Sequence, residues 1–86
     1  MKTKLKKVFH GPISKTFEVS EVINPGTIEQ YDRAIGQIRE WELGFEWEHL
    51  PTLRHSGSVW TTRKDALKAL KKIHQDHKNG LTLIAL

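Results

Sequence analysis

Cysteine is absent from all 86 residues, which excludes a disulfide framework and any thiolate-held zinc or iron–sulfur centre. No apolar run approaches the roughly 18 residues that a membrane-spanning helix needs. The basic N-terminus, Met1-Lys2-Thr3-Lys4-Leu5-Lys6-Lys7, is not followed by the apolar stretch of a secretory signal. The three prolines are scattered, and no low-complexity segment or internal repeat divides the chain. The expectation is one soluble, cytoplasmic domain over residues 1–86, without a membrane association. A chain this short buries only about 60% of the surface its unfolded form exposes, so its core must be small.

What is abundant is charge, and it is unevenly placed. Residues 1–15 carry five lysines (Lys2, Lys4, Lys6, Lys7, Lys15) and no acid. Residues 16–50 carry eight acids against Arg33 and Arg39, and residues 51–86 carry seven bases against Asp65 and Asp76. The net charge of +4 therefore conceals an acidic middle between two basic ends. Such segregation points to a basic surface suited to a polyanion and a separate acidic one.

Local patterns suggest a fold. Leu5–Phe9 and Ile13–Val22 are rich in strand formers and flank Gly11-Pro12, which is turn chemistry, so a hairpin is expected. Asn24-Pro25-Gly26 ends its second strand. Thr27 with Gln30 has the form of a capping box, and Ile28, Tyr31, Ala34, Ile35, Ile38 and Trp41 recur at three- and four-residue spacing. That spacing predicts a helix, stopped at Gly44. Phe45–Leu50 alternates as a strand before Pro51. Ser56-Gly57 is expected to turn a hairpin that pairs Leu53 with Trp60. Thr62 then caps a second helix, running to about Lys78 and closed by Asn79-Gly80. Leu81–Leu86 reads as a final, central strand.

The expected fold class is therefore α+β, with a small antiparallel sheet and two amphipathic helices on one face, in the order ββαββαβ. This corresponds to the split-βαβ arrangement of ferredoxin-like domains with an added N-terminal strand. A winged-helix-like arrangement is the alternative.

The candidate chemistry lies mostly on the second helix. Ala66, Leu67, Ala69, Leu70 and Ile73 form its apolar face, and Lys64, Lys68, Lys71, Gln75 and Lys78 form a stripe opposite, flanked by Lys72. A ladder of ammonium groups tracks phosphates, each contact releasing condensed counterions. Arg54, Arg63 and the N-terminal lysines would extend it, and Trp60 on an open sheet face would stack bases. These residues define the expected function: a small basic nucleic-acid-binding protein, for RNA or DNA, acting mostly through phosphate contacts.

The alternative is a small protein-interaction or inhibitor factor of the phage or mobile-element type. Its surface would be the acidic aromatic segment of Glu42, Phe45, Glu46, Trp47 and Glu48, an aromatic anchor within an acidic rim. His74 and His77 sit at i,i+3, but a metal site needs a third ligand, so no metal or other cofactor is expected. His49, Arg54, His55 and Arg63 around Ser56-Gly57 suggest at most a ribonuclease-like cluster. No nucleophile motif or phosphate-binding loop accompanies them, and no enzyme is expected.

Overall fold

A computed structural model describes residues 2–57 and 60–85, the last five by backbone alone. Its sheet is a five-stranded antiparallel meander. The strands are β1 (Thr3–His10), β2 (Ser14–Ile23), β3 (Tyr31–Trp41), β4 (Gly44–His49) and β5 (Arg54–His55), and they lie in sequence order across the sheet. One helix, α1 (Arg63–Ala85), follows.

The first hairpin forms as its turn chemistry dictates, with Gly11 donating its N–H to the Ser14 carbonyl at 2.8 Å. The β2–β3 turn uses Asn24 and Gly26 at positive φ, 52° and 80°, a region that asparagine and glycine enter at least cost. Thr62 caps α1 as expected, its Oγ1 accepting the Asp65 N–H at 3.1 Å.

The ββαββαβ order is overturned, and the winged-helix alternative with it, because the described residues contain one helix and the segment expected to be the first helix is β3. Two features misdirect the pattern. Val19 pairs with Gly36 while Ser20 pairs with Ala34, so Ile35 is an extra residue bulged into β3. A bulge shifts the two-residue alternation by one. Ile35 and Ile38, three residues apart, consequently both reach the core, which imitates a helical repeat. The capping-box residues spend their bonds inside the turn instead. Thr27 Oγ1 donates to the Asn24 carbonyl at 2.8 Å, and Gln30 Oε1 accepts the Gly26 N–H at 2.9 Å. Short polar side chains serve turns and helix starts with the same bonds.

Two smaller expectations also fail. The turn after β4 lies at Leu50–Leu53 rather than Ser56-Gly57, and Trp60 bridges to Phe45 rather than Leu53, exchanging backbone bonds of 2.8 and 3.1 Å. Ser58 and Val59, part of the expected returning strand, lie outside the described residues. The final strand is absent too: α1 continues through Asn79-Gly80 to Ala85. Gly80 does not adopt the positive φ of a left-handed cap, so nothing stops the helix before the leucine- and alanine-rich stretch that favours its continuation. Leu86 lies outside the described residues.

The core joins Phe17, Val19, Ile35, Ile38 and Trp47 of the sheet to Ala66 and Leu70 of α1, with Phe45, Trp60, Leu67, Ala69 and Ile73 packed around them. The helix lies over β4 and β3 and makes no backbone approach to β1 or β2. The helix therefore meets β2 through side chains alone and leaves β1 exposed. Both candidate sites arise in the gap between the helix and this first hairpin. Among the described residues, no helix is long and apolar enough to cross a membrane.

Candidate nucleic-acid interface and a buried histidine relay

At the N-terminal end of α1, a groove of about 480 Å³ runs between the helix and β1, lined by Leu5, Lys7, Phe17, Arg63, Lys64 and Leu67. Strand alternation places Leu5 and Lys7 on the inner face, opposite Val19 and Phe17 of β2. The helix contributes Lys64 and Leu67 from the flank of α1 that overlooks this hairpin. Arg63 crosses the gap, its guanidinium 4.7 Å from the centroid of the Phe17 ring, a cation–π contact. Three cations and no acid line the groove.

The expected phosphate-contacting residues divide in two. Lys64, Lys68 and Lys72 of α1, Arg63 and Arg54 of β5 are exposed, and Lys71 is half-buried. Lys72 reaches Asp76 at 3.6 Å, an i,i+4 pair between exposed side chains that is worth little. Lys78 turns inward and donates to Glu21 Oε1 of β2 at 2.6 Å. Trp60 is half-buried against the core, and its indole N–H is enclosed without a partner, so it presents no open platform for a base.

The opposite face of the sheet carries a mixed row, Lys6, Glu18, Gln37 and Glu48, placed side by side by the register. Next to it, Arg39 donates to Glu46 Oε1 at 3.0 Å. This outer face is of mixed sign, and does not form the separate acidic surface expected from the charge blocks. Within the alternative interaction segment, Trp47 is a core residue and Phe45 packs against the core. Glu46 is committed to Arg39, Glu48 faces out beside it, and Glu42 is exposed in the β3–β4 turn. The aromatic anchors of that segment are not on the surface.

At the other end of the gap lies a chain of buried polar groups that local spacing does not reveal. Glu21 of β2, His49 of β4 and His74 of α1 are 7%, 0% and 5% exposed. Glu21 Oε2 meets His74 Nε2 at 3.3 Å, His74 Nδ1 meets His49 Nε2 at 2.9 Å, and His49 Nδ1 meets Thr52 Oγ1 at 2.7 Å. The ionised carboxylate only accepts, and this fixes every tautomer in turn. His74 donates from Nε2 to Glu21, His49 donates from Nε2 to His74 Nδ1, and Thr52 donates to His49 Nδ1. The His77 ring closes the cluster, its centroid 5.4 Å from His49 and 6.4 Å from His74.

The electrostatics keep both relay histidines neutral. Burial holds His49 down to about 4, and the neighbouring His74, His77 and Arg54 add to the effect. Burial lowers His74 as well, against the opposing pull of Glu21. For Glu21, burial alone raises the value, but the bonds and charges of Lys78 and His74 outweigh it and leave the carboxyl below its ordinary range. Among the described residues, no three histidine or carboxylate groups converge to hold a metal ion. Of the ribonuclease-like set, His49 and Arg54 are paired across β4 and β5, but the four side chains do not share one surface. His49 faces the core, His55 is exposed, and Arg63 sits on Phe17.

Comparison with models of known families, with curated proteins and with solved structures finds no match to this chain.

Proposed function

We propose that this chain is a small nucleic-acid-binding protein whose contact surface is the basic side of α1 together with the inner face of β1. The observation that carries the reading is the groove between them, where Lys7, Arg63 and Lys64 converge and no acid lies among them. Cations held on two different elements with a fixed spacing can engage successive phosphates. The exposed Lys68 and the half-buried Lys71 extend the surface along the helix. The opposite face of the sheet mixes Lys6 and Arg39 with Glu18, Glu46 and Glu48, whereas the groove is lined by cations without an acid, which favours a polyanion on this side.

Replacing Lys64, Lys68 and Lys71 with glutamine tests the reading while keeping long side chains and helix propensity. Fold stability is expected to change by less than about 0.5 kcal/mol. Affinity for generic RNA and DNA is expected to fall for all sequences alike, and the salt dependence to become shallower by about one unit per lost contact. Fluorescence anisotropy over a range of salt concentrations measures both. Absence of wild-type binding at low salt overturns the proposal.

A second reading, capture of a protein partner, has its own observation. Ile13 and Leu43, 75% and 87% exposed, flank a hollow of about 390 Å³ with Trp41 and Glu42 at the hairpin ends. Adjacent exposed apolar side chains are the usual mark of a contact surface. Ile13→Ser with Leu43→Ser should preserve the far-ultraviolet circular dichroism and remove any protein retained by the wild type on an affinity column. Unaltered retention overturns this reading.

A further inference from the structure

We infer that the groove receives an unpaired polynucleotide strand rather than a duplex, and that Arg63 is the surface on which a base stacks. The inference rests on the nucleic-acid reading above and deepens it. Half of the groove's lining is apolar: Leu5, Phe17 and Leu67. A duplex turns its phosphates outward and keeps its base faces stacked inside, so an apolar floor between cations offers it nothing. An unpaired strand exposes those faces, and proteins that bind such strands combine a cationic track with planar platforms.

The platform here is built in two layers. Phe17 is 6% exposed, so its ring is support rather than contact surface. Arg63 lies 4.7 Å above it and is exposed. The guanidinium lies over the ring with Arg63 exposed, so its solvent side is open to a base, while its charge stays near the backbone of the bound strand. Lys7 on β1 and Lys64 on α1 stand on the two walls, where the phosphates on either side of a stacked base would lie. The volume is of the order of pockets that take small organic groups, enough for a base and its sugar but not for a double helix.

Arg63→Lys separates stacking from charge, because it keeps the cation and removes the plane. The probes are labelled oligo(dT) and oligo(U) of about twelve nucleotides, with a blunt duplex of the same length, followed by anisotropy at several salt concentrations. Wild type should bind at least one unpaired probe about tenfold more tightly than the duplex. Arg63→Lys should weaken that binding about tenfold with an unchanged salt slope, whereas Lys7→Gln with Lys64→Gln should make the slope shallower by about 1.4 units, the value for two contacts on a single strand. Circular dichroism checks that each variant is folded. Stronger binding of oligo(U) or of oligo(dT) assigns the strand as RNA or DNA. Equal affinity for duplex and strand, or wild-type affinity in Arg63→Lys, overturns this inference and leaves the nucleic-acid reading standing. Failure of every probe to bind at low salt overturns both.

Discussion

Acidification from about pH 7 to about pH 4 should cost this protein about 3 kcal/mol through His49 alone. The folded chain holds His49 at about 4 against an ordinary 6.5. Between those values the unfolded chain takes up a proton that the folded chain refuses, so stability falls as the pH falls. The contribution is intact above about 6.5 and is lost progressively through the window below it. His74 is lowered too and acts in the same direction. Glu21, held below its ordinary 4.5, adds a further loss at more acidic pH as its carboxylate protonates. The geometry explains why the pair resists. One added proton is accommodated by reversing the tautomers, but a second sets two N–H groups against each other across the 2.9 Å His49–His74 contact. The other groups facing the pair are Lys78 and His77 of α1 and Arg54 of β5, and none supplies a compensating negative charge. Urea denaturation at intervals of pH measures the slope, which His49→Gln should reduce by about 1.4 kcal/mol per pH unit. A stability that stays level between pH 7 and pH 5 would show that the relay histidines do not titrate as argued.

Gly36→Ala should be at least as damaging. Gly36 pairs with Val19 on one side and His49 on the other. A Cβ at this position would run into the carbonyl oxygen of Glu48 and sit 3.2 Å from Leu70 Cδ2. The Glu48 oxygen belongs to the neighbouring strand and cannot rotate away as a side chain would. Either β4 moves off β3 or the helix lifts from the sheet, and both separate the core. The cost should reach or exceed about 3 kcal/mol, the upper end of the usual range for overpacking, which threatens the folding of a domain this small. Gly80→Ala is the control, because a Cβ there has open space around it, and helix propensity favours the alanine by up to about 1 kcal/mol. Equal stability of Gly36→Ala and wild type in thermal and denaturant melts would refute the argument.

The same two positions show how far the sequence could be read. Glycine has no helix propensity to offer, and Gly36 at the centre of an expected helix was the available sign that Ile35 and Ile38 belong to a strand. Periodicity counts spacings and cannot see a bulge, because the bulge exists only against a partner strand. The elements that were legible have local causes: Gly11-Pro12 in the first hairpin, the alternation of Phe45 and Trp47, the Thr62 cap and the apolar stripe of α1. The groove was half legible. Lys64 and Arg63 stood out as a cationic run, while Lys7 joins them only through the pairing of β1 with β2. The relay was not legible as a unit, since His49 and His74 lie 25 residues apart and Glu21 and His74 lie 53 apart. The i,i+3 spacing joined His74 to His77, whereas the structure bonds His74 to His49 and Glu21.

Each strand of the meander joins the strand beside it in sequence, so the sheet can assemble through short loop closures alone, the arrangement associated with rapid folding. The helix follows all five strands in sequence. During synthesis from the N-terminus, all five strands are therefore complete before the first turn of α1 has been added, and Ile38 and Trp47 wait uncovered. The edge strand β1 is exposed in that interval, and Lys4, Lys6 and Lys7 along it place repelling charge where a second chain would otherwise add a strand. Lys7, proposed above to line the nucleic-acid groove, would thus act with Lys4 and Lys6 against aggregation while the chain is being made.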